Sequence, residues 1–353
     1  MKVFAITLAT VLLISSVPVF MVFGLSSAIV AIWELNLPWS SLIQVAFGSV
    51  TKHVLVAVPL FIFAGMAMLR GGAASRLVHF AVTLVGHWPG GLGIAMILAM
   101  GFFAAFCGSI LAAITAIGTI MIPKMVEQGY PKPFVIVLAA SAAFLEALIP
   151  PSNAAILFSA LTDVPVSKTF AAGILPGLVL MGLLSLVVIW KCRRLKVSER
   201  ASSKDKLKAF WEALPGLFTP IIILGGIYSG LFTPSESAAV AGLWGIVIGT
   251  VIYKELTLSG VVDALYETSR ITAIIFAIIA MATFLSVVLT YTQAPQKIIN
   301  FFLELGGTQV TFWISVAVIC LILGTFVEIV PVFYLTVPIF AALALSLNLH
   351  VLH

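Results

Sequence analysis

Long stretches without a charged side chain constrain this sequence more than any other feature. Asp, Glu, Lys and Arg are all absent from residues 77–123, 169–190 and 271–295. Each stretch is at least as long as the ~20 residues that a helix needs to cross the hydrocarbon core of a bilayer. With 62% hydrophobic and 9% charged residues, the chain has too little polar surface to cover a soluble globule of 353 residues. The sequence therefore predicts an all-α membrane protein with several spans.

Basic side chains are concentrated in one short segment. Residues 191–212 hold eight of the chain's 18 lysines and arginines, and the formal net charge is +5. Because positive charge marks cytoplasmic loops, we expect this segment to lie on the cytoplasmic side and to join two halves of the chain. Binding to anionic lipid headgroups is a second interpretation of the segment. Charge gathered in this way does not indicate a nucleic-acid partner.

The two halves of the sequence resemble each other. Residues 68–86 align with residues 288–306, and in each half a glycine-containing turn and an apolar helix then lead to a polar interruption. Weak similarity of this kind is typical of transporters built from two repeats, often of inverted topology, with the binding site at the repeat interface. We therefore predict a first membrane repeat at residues 1–190, a cytoplasmic linker at 191–212 and a second, incomplete repeat at 213–353.

The first polar interruption lies in an apolar run that is too long for one span. Gly108, Ser109 and Thr115 occur within this run, and Pro123 follows them. Since unsatisfied backbone groups are costly in hydrocarbon, a spanning segment should break only where the break lines a cavity. The pattern favours a re-entrant hairpin over about residues 101–127, with its tip between Gly108 and Thr115.

The next apolar segment is interrupted by the sequence PPSN at residues 150–153. Each proline removes a backbone donor, which should leave the carbonyls near Ala147 and Leu148 free. The serine and asparagine suit the N-cap of a second half-helix. We predict a broken helix over about residues 134–160, which offers carbonyls to a cation at one broken end and amide dipoles to an anion at the other. A proline kink satisfied by the same serine and asparagine is the purely structural alternative.

Four segments together carry a resemblance to a known family. They are GSILAAITAIGTIMIPKMVEQGY at residues 108–130, IPPSN at 149–153, GLFTPSESAAVA at 230–241 and GTFVEIVP at 324–331. In this order, over essentially the whole chain, the sequence resembles the large permease subunit of tripartite ATP-independent periplasmic (TRAP) transporters. The resemblance implies an elevator-type secondary transporter of the ion-transporter superfamily, with two inverted repeats, two re-entrant hairpins and two broken helices.

The same resemblance implies ligands, partners and a location. It predicts coupling to sodium, a small membrane partner subunit, a periplasmic binding protein that delivers an organic acid, and a place in the bacterial inner membrane. Four-carbon dicarboxylates, sialic acid and sugar acids are all open as substrates. A stand-alone sodium/dicarboxylate symporter of the same superfamily, without a binding protein, is the alternative.

Two sets of site residues follow from the interruptions and the resemblance. The candidates for holding sodium, partly through backbone carbonyls, are Gly108, Ser109, Pro150, Ser152 and Asn153. The candidates for contacting the substrate are Ser109, Thr115, Asn153, Glu328 and Pro331. No lysine or arginine occurs at the hairpin tips or in the break, so an anionic substrate would depend on helix N-termini, hydroxyls and bound sodium.

Three acidic residues lie in otherwise apolar stretches, where their cost makes them site candidates. Glu236 follows Thr233 and Pro234 in the pattern of a capping box, which favours a structural role. Glu328 is predicted to lie at the tip of the second hairpin and to be functional. Glu146 stands where the family has a small residue, and it is either a further cation ligand or a structural partner.

The end of the sequence also departs from the family pattern. Family members generally continue into a second broken helix with a Thr-Pro-Pro break, whereas His353 aligns with Pro133 of the first repeat. We therefore expect a chain truncated at its C-terminus, which in this form would not transport.

Other functional classes find little support in the sequence. The five histidines are scattered and form no acid–base pair by spacing, so an enzyme is not indicated. A Gly-x-x-x-x-Gly-Lys-Ser/Thr phosphate loop is absent, which argues against direct use of ATP. An ion channel would more often be a symmetric oligomer of shorter chains.

Overall fold

The computed structural model describes residues 2–193, 195, 200–304 and 306–352, with only the backbone of Lys2 and Val3. Among these residues there is no strand, and eight helices are long and apolar enough to cross a membrane. A ninth span results if the bent pair Lys132–Leu148 and Asn153–Thr162 is counted as one. The prediction of an all-α membrane protein with several spans is confirmed.

The helices follow one another with short connections, as expected for segments that must satisfy their own backbone groups in lipid. In chain order they are α1 (Lys2–Ile14), α2 (Val19–Trp33), α3 (Trp39–Val50), α4 (Ala57–Arg70), α5 (Ala73–Val85), α6 (Gly91–Cys107), α7 (Ile110–Ala113), α8 (Thr119–Glu127), α9 (Lys132–Ala143), α10 (Leu145–Leu148), α11 (Asn153–Thr162), α12 (Val166–Cys192), α13 (Ser203–Tyr228), α14 (Pro234–Val247), α15 (Leu258–Tyr291), α16 (Ala294–Glu304), α17 (Gln309–Phe326) and α18 (Ile329–Ser346). A 3-10 turn, His53–Val56, precedes α4, and π-helical segments follow α7 (Ile114–Gly118) and α14 (Ile248–Ile252).

Contacts divide the chain into two compact units. The central unit comprises Val56–Ile156 and Pro165–Arg270, and the terminal unit comprises Met1–Leu55, Leu157–Val164 and Ile271–His353. This division cuts through α11 and α15 and does not coincide with the predicted boundary between the repeats. The division into repeats stays a prediction, because similarity between halves and compactness are different properties.

The terminal unit contains two buried apolar clusters. In the first, Ala31 of α2 and Leu42 of α3 pack with Phe284 and Val288 of α15. The second is centred on Phe312, at the start of α17. Helices α17 and α18 meet at a two-residue break at residues 327–328 and contact each other there. The second hairpin stays a prediction.

The central unit is built around α6, most of whose residues are buried. Close approach of the neighbouring helices depends on small residues, as is common between membrane helices. A Cβ atom on Gly71, just after α4, would lie 2.8 Å from the Cα atom of Gly249. A Cβ atom on Gly65 of α4 would collide with the side chain of Cys107, at the end of α6. Helix α4 is therefore held tightly against both the α14 segment and α6.

The first hairpin turns at Gly108 and Ser109. The chain is helical up to Cys107 and again over Ile110–Glu127, and α6 contacts α8. An unbroken helix would place Thr119 about 18 Å beyond Cys107, so this contact requires the chain to reverse. The first arm begins at Gly91 rather than near residue 101, where the sequence placed it.

The broken helix lies close to its predicted position. Lys132–Leu148 and Asn153–Thr162 are inclined by 44° across the break at residues 149–152, and the Pro150–Pro151 peptide is cis. Its two ends differ from the prediction of about residues 134–160 by two residues each.

The helical segments that follow the two breaks have matching lengths. Ile110–Glu127 and Ile329–Ser346 are each 18 residues long, and their first residues are 219 positions apart. The sequence alignment of residues 68–86 with 288–306 has an offset of 220. The two offsets differ by one, which supports an internal repeat at the level of helix boundaries and places Glu328 opposite Gly108 or Ser109.

The predicted linker at residues 191–212 is shorter than expected. Helix α12 ends at Cys192 and α13 begins at Ser203, so the last ten residues of the predicted linker are helical. Ser202 and Asp205 explain this start, because their side chains form a capping box. Residues 194 and 196–199, which carry part of the basic cluster, lie outside the described residues.

Candidate functional site

The hairpin tip and the break in the helix meet in the central unit. Gly108 has a φ of +63°, a left-handed conformation that glycine adopts without strain. A Cβ atom at this position would lie 3.2 Å from the carbonyl oxygen of Pro151 and 3.4 Å from the Asn153 side chain. Ser109 then begins the second arm, with its Oγ accepting a long 3.5 Å hydrogen bond from the Ala112 amide. Glycine thus allows the tip to lie directly against the break.

Asn153 joins the two elements. Its Nδ2 donates to the carbonyl oxygen of Gly108 at 2.6 Å. Its Oδ1 is buried and has no hydrogen-bond partner among the described residues. An unsatisfied buried oxygen is unusual in a native protein and calls for a ligand or a water molecule. The amide therefore fixes the tip with one end and presents an acceptor with the other.

The sequence predicts free carbonyls at Ala147 and Leu148, and in the structure the Ala147 carbonyl is not free. The hydroxyl of Ser152 donates to the Ala147 carbonyl at 2.8 Å and accepts from the Ala155 amide at 3.4 Å. The Leu148 carbonyl points at Gly173 of α12, where a Cβ atom would collide with it. The prediction was wrong for the Ala147 carbonyl, because Ser152 folds back onto it. For the Leu148 carbonyl it stays a prediction, since Gly173 only makes room for that oxygen. The N-cap role of Ser152 is confirmed.

The Pro151 carbonyl, which faces Gly108, is the oxygen that sequence reasoning missed. It lies within van der Waals distance of the tip, as the Cβ position at Gly108 shows. The sequence contained a weak indication of this oxygen. Pro151 precedes the start of α11, so its carbonyl cannot accept a hydrogen bond of that helix. Pro150 lies one residue earlier in the same break.

Glu146 lies behind the tip. Its side chain is 1% exposed, and it interacts with the thiol of Cys107, the residue before Gly108. Neither carboxylate oxygen has a hydrogen bond of normal geometry to a described residue. An ionisable group inside a membrane protein is expected to face the interior, and Glu146 does so.

Thr115 lies apart from this cluster. It occurs in the π-helical segment Ile114–Gly118, it is exposed, and its hydroxyl donates to the Leu111 carbonyl at 2.8 Å. Its hydroxyl therefore does not bond to the break. Short π-helical turns are frequent at functional sites, and the proposed contact of Thr115 with substrate stays a prediction.

The second-half candidates belong to the terminal unit. Glu328 is the N-cap of α18, is exposed, and its side chain makes no capping hydrogen bond. Pro331 is buried in the first turn of the same helix. Glu328 thus lies in the break between the two arms, as the sequence indicated, and its function stays untested.

Glu236 has the structural role that its sequence context indicated. Its Oε2 accepts from the Thr233 amide at 2.8 Å, and its own amide donates to the Thr233 hydroxyl at 3.3 Å. This reciprocal pair is the predicted capping box of α14.

The chemistry of the cluster suits a cation that prefers neutral oxygens. The Gly108 tip lies against both the Pro151 carbonyl and the Asn153 side chain, and the Ser109 hydroxyl follows Gly108 in the chain. Within the described part of the chain, no three His, Cys, Asp or Glu side chains gather in a way that could hold a metal ion. The Asn153 oxygen has the acceptor capacity to bind a cation or a water molecule.

Comparison with known proteins identifies the family. The DctM component of the tripartite ATP-independent periplasmic transporters matches residues 6–353. The large permease protein of a C4-dicarboxylate TRAP transporter from Pseudomonas aeruginosa is 39% identical over 310 residues, covering 87% of this chain and 72% of that protein. That of a sialic acid TRAP transporter from Vibrio cholerae is 32% identical and covers 88% of this chain and 73% of the relative.

A third relative comes from Escherichia coli. It is the large permease protein of a 2,3-diketo-L-gulonate TRAP transporter, 32% identical over 81% of this chain and 68% of that protein. The match to the family extends over nearly the whole sequence, and the eight apolar helices agree with it. This chain belongs to the DctM family of TRAP transporter large permeases and is a multi-pass membrane protein.

Proposed function

We propose that this chain is the large permease of a TRAP transporter that takes up a small organic acid across the bacterial inner membrane, driven by a sodium gradient. One observation carries the proposal. The Asn153 amide holds the tip carbonyl of Gly108 at 2.6 Å, while its own oxygen is buried and has no partner among the described residues. This junction of a hairpin tip and a helix break is the proposed cation site.

Neutral ligands favour sodium as the coupling ion. Sodium would be held by the Asn153 oxygen, the Pro151 carbonyl and the tip at Gly108 and Ser109, with Pro150 and Ser152 shaping the break. Bound there, it would supply positive charge to a junction that has no lysine or arginine. Glu146 would contribute long-range negative charge from behind the tip if it is ionised.

The substrate is proposed to be an organic acid held mainly by helix N-termini. The amide ends of α11 and of the arm after Ser109 carry partial positive charge. Ser109, Thr115, Asn153 and Pro331 would contact the substrate, and Glu328 would do so through a bound cation, because its carboxylate would repel an acid. The named substrates of the relatives, C4-dicarboxylate, sialic acid and diketogulonate, are all acids that such a site could take.

We propose that the transporter also needs a small membrane subunit and a periplasmic binding protein, and that it works by an elevator motion. The support is the tripartite description of the matched family. A stand-alone symporter would function without either partner.

Uptake by proteoliposomes tests this proposal. The permease, carried to the full length of its relatives, is reconstituted with and without the small subunit, and labelled organic acids are offered with and without purified binding proteins. We expect uptake only when all three components are present. Equal uptake by the permease alone would favour the stand-alone symporter, and uptake of neutral sugars in preference to acids would contradict the substrate class.

A further inference from the structure

A second cavity lies in the central unit, on different elements from the hairpin tip and the break. Its volume is about 540 Å³, and it opens between α5, α13 and the segment that follows α14. The residues that matter for its chemistry are Arg76, His79, Trp211, Glu212, Tyr253 and Glu255. Such a mixture of charged and aromatic side chains is not needed for packing one membrane helix against another.

The basic side of the cavity is rigid. Arg76 Nη2 pairs with Glu255 Oε1 at 2.8 Å, and its Nη1 donates to the Gly72 carbonyl at 3.0 Å. The guanidinium also stacks on the Tyr253 ring, 3.8 Å from its centroid. These contacts with described residues engage two of the five N–H donors of Arg76. The remaining donors, together with the exposed His79 one turn further along α5, can bind the oxygens of a phosphate.

The acidic side of the cavity comes from α13. The Glu212 side chain is 42% exposed, and the Lys208 ammonium reaches it only at 4.0 Å. Its backbone carbonyl accepts from the Tyr253 hydroxyl at 2.7 Å, which fixes the position of the residue. Burial raises the pKa of Tyr253, so the hydroxyl remains a donor at neutral pH. Glu212 therefore presents a carboxylate with spare acceptor capacity.

The cavity lies at the depth of lipid headgroups. Trp211 and Glu212 occur in the third turn of α13, which is long enough to span the membrane and begins at Ser203, within the basic segment. Positive charge places that end of the helix on the cytoplasmic side. The Trp211 side chain is 61% exposed, and tryptophan is enriched at the boundary between headgroups and hydrocarbon. A lipid in the cytoplasmic leaflet can therefore reach the cavity.

The charges on the walls select among headgroups. Arg76 is balanced by Glu255, and the only counter-ion of Glu212 among the described residues is the exposed Lys208 ammonium at 4.0 Å, which a ligand ammonium can replace. A headgroup that carries only negative charge offers no such ammonium to Glu212. A quaternary ammonium has no N–H group to donate to it, whereas a primary ammonium does. We infer that this cavity binds the phosphoethanolamine headgroup of a cytoplasmic-leaflet phospholipid, with its phosphate on Arg76 and His79 and its ammonium on Glu212.

Native mass spectrometry of the delipidated protein tests the inference. Phosphatidylethanolamine, phosphatidylcholine and phosphatidylglycerol with identical acyl chains are titrated separately. We expect one phosphatidylethanolamine per chain to bind at least tenfold more tightly than either of the others. Equal binding of the three lipids, or a preference for phosphatidylglycerol, would overturn the inference.

Two variants separate the contacts. Glu212→Gln should abolish the preference for phosphatidylethanolamine over phosphatidylcholine, a change of about tenfold. His79→Ala should weaken the binding of phosphatidylethanolamine and phosphatidylcholine by similar factors, because both lipids carry the phosphate. Glu127→Gln, a matched change of an exposed carboxylate at the end of α8, should bind like the wild type. A Glu212→Gln protein that keeps the full preference would contradict the assignment, and unchanged melting temperatures would confirm that the variants are folded.

A soluble competitor identifies the source of the headgroup. Free O-phosphoethanolamine should displace the lipid only at much higher concentration, since it lacks the acyl chains and the glycerol. If the soluble compound bound as tightly as the lipid, the cavity would be a site for a free phosphoamine, and the lipid assignment would fail.

Discussion

Replacing Asn153 by alanine is the sharpest perturbation of the proposed sodium site. The change removes the donor that holds the Gly108 carbonyl at 2.6 Å, and it also removes the unpartnered Oδ1. A buried carbonyl left without its partner costs about 1–3 kcal/mol. If this energy is lost from the sodium-bound state, the half-saturating sodium concentration rises roughly 5- to 150-fold.

Thermal unfolding in sodium chloride and choline chloride measures this change without requiring transport. A ligand that binds only the folded protein stabilises it by about 2.7 kcal/mol at 100 times its Kd. The wild-type melting temperature should therefore rise with sodium and not with choline. The Asn153→Ala curve should move to higher sodium concentration. Asn153→Asp keeps a side-chain oxygen and loses the N–H donor. If the oxygen is a ligand, the sodium dependence of its melting temperature should differ from that of Asn153→Ala.

Ser237→Ala provides the control. Ser237 is fully buried in the same unit, and its hydroxyl donates a long 3.4 Å bond to the Ile223 carbonyl of α13. This variant should lower the melting temperature while leaving the half-saturating sodium concentration unchanged. An Asn153→Ala protein with the sodium dependence of the wild type would refute the assignment of this junction as the cation site.

Further variants test the neighbouring residues. Ser152→Ala should lower the free energy of unfolding by about 1 kcal/mol through loss of its bond to the Ala147 carbonyl, and its sodium dependence should shift less than that of Asn153→Ala; the reverse order would show Ser152 to be the main ligand. Glu146→Gln should change the free energy of unfolding by no more than about 1 kcal/mol, because no paired charge is broken. It should weaken sodium binding if the carboxylate acts on the site. A large loss of stability would instead make Glu146 a structural partner. Thr233→Ala should cost about 1 kcal/mol by removing a capping box, and any change in its sodium dependence would contradict the purely structural role of Glu236.

The positions of the two breaks could be predicted from the sequence because they violate the rules of a membrane span. Gly108 and the prolines at residues 150–151 are costly in an unbroken helix in lipid, so their positions were informative. The capping box at Thr233 was equally readable, since it depends on residues three positions apart. Local chemistry of this kind does not require knowledge of tertiary contacts.

The directions of carbonyl groups and the tertiary contacts of buried side chains could not be predicted from the sequence. The Leu148 carbonyl is directed by Gly173, which lies on a different helix, and no local pattern reveals that contact. The first arm of the hairpin extends back to Gly91, because the glycine-rich start of α6 is helical in this packed environment. The inward burial of Glu146 likewise depends on how α10 packs against α6.

Sodium-driven uptake tests the central claim most directly. The permease, carried to the full length of its relatives, is reconstituted with its proposed partners. Uptake of a labelled organic acid is followed with an inward sodium gradient, with choline in place of sodium, and with ATP supplied on the cytoplasmic side. We expect accumulation with the sodium gradient, little uptake with choline and no effect of ATP. Accumulation that persists undiminished in choline, or that requires ATP, would contradict the account.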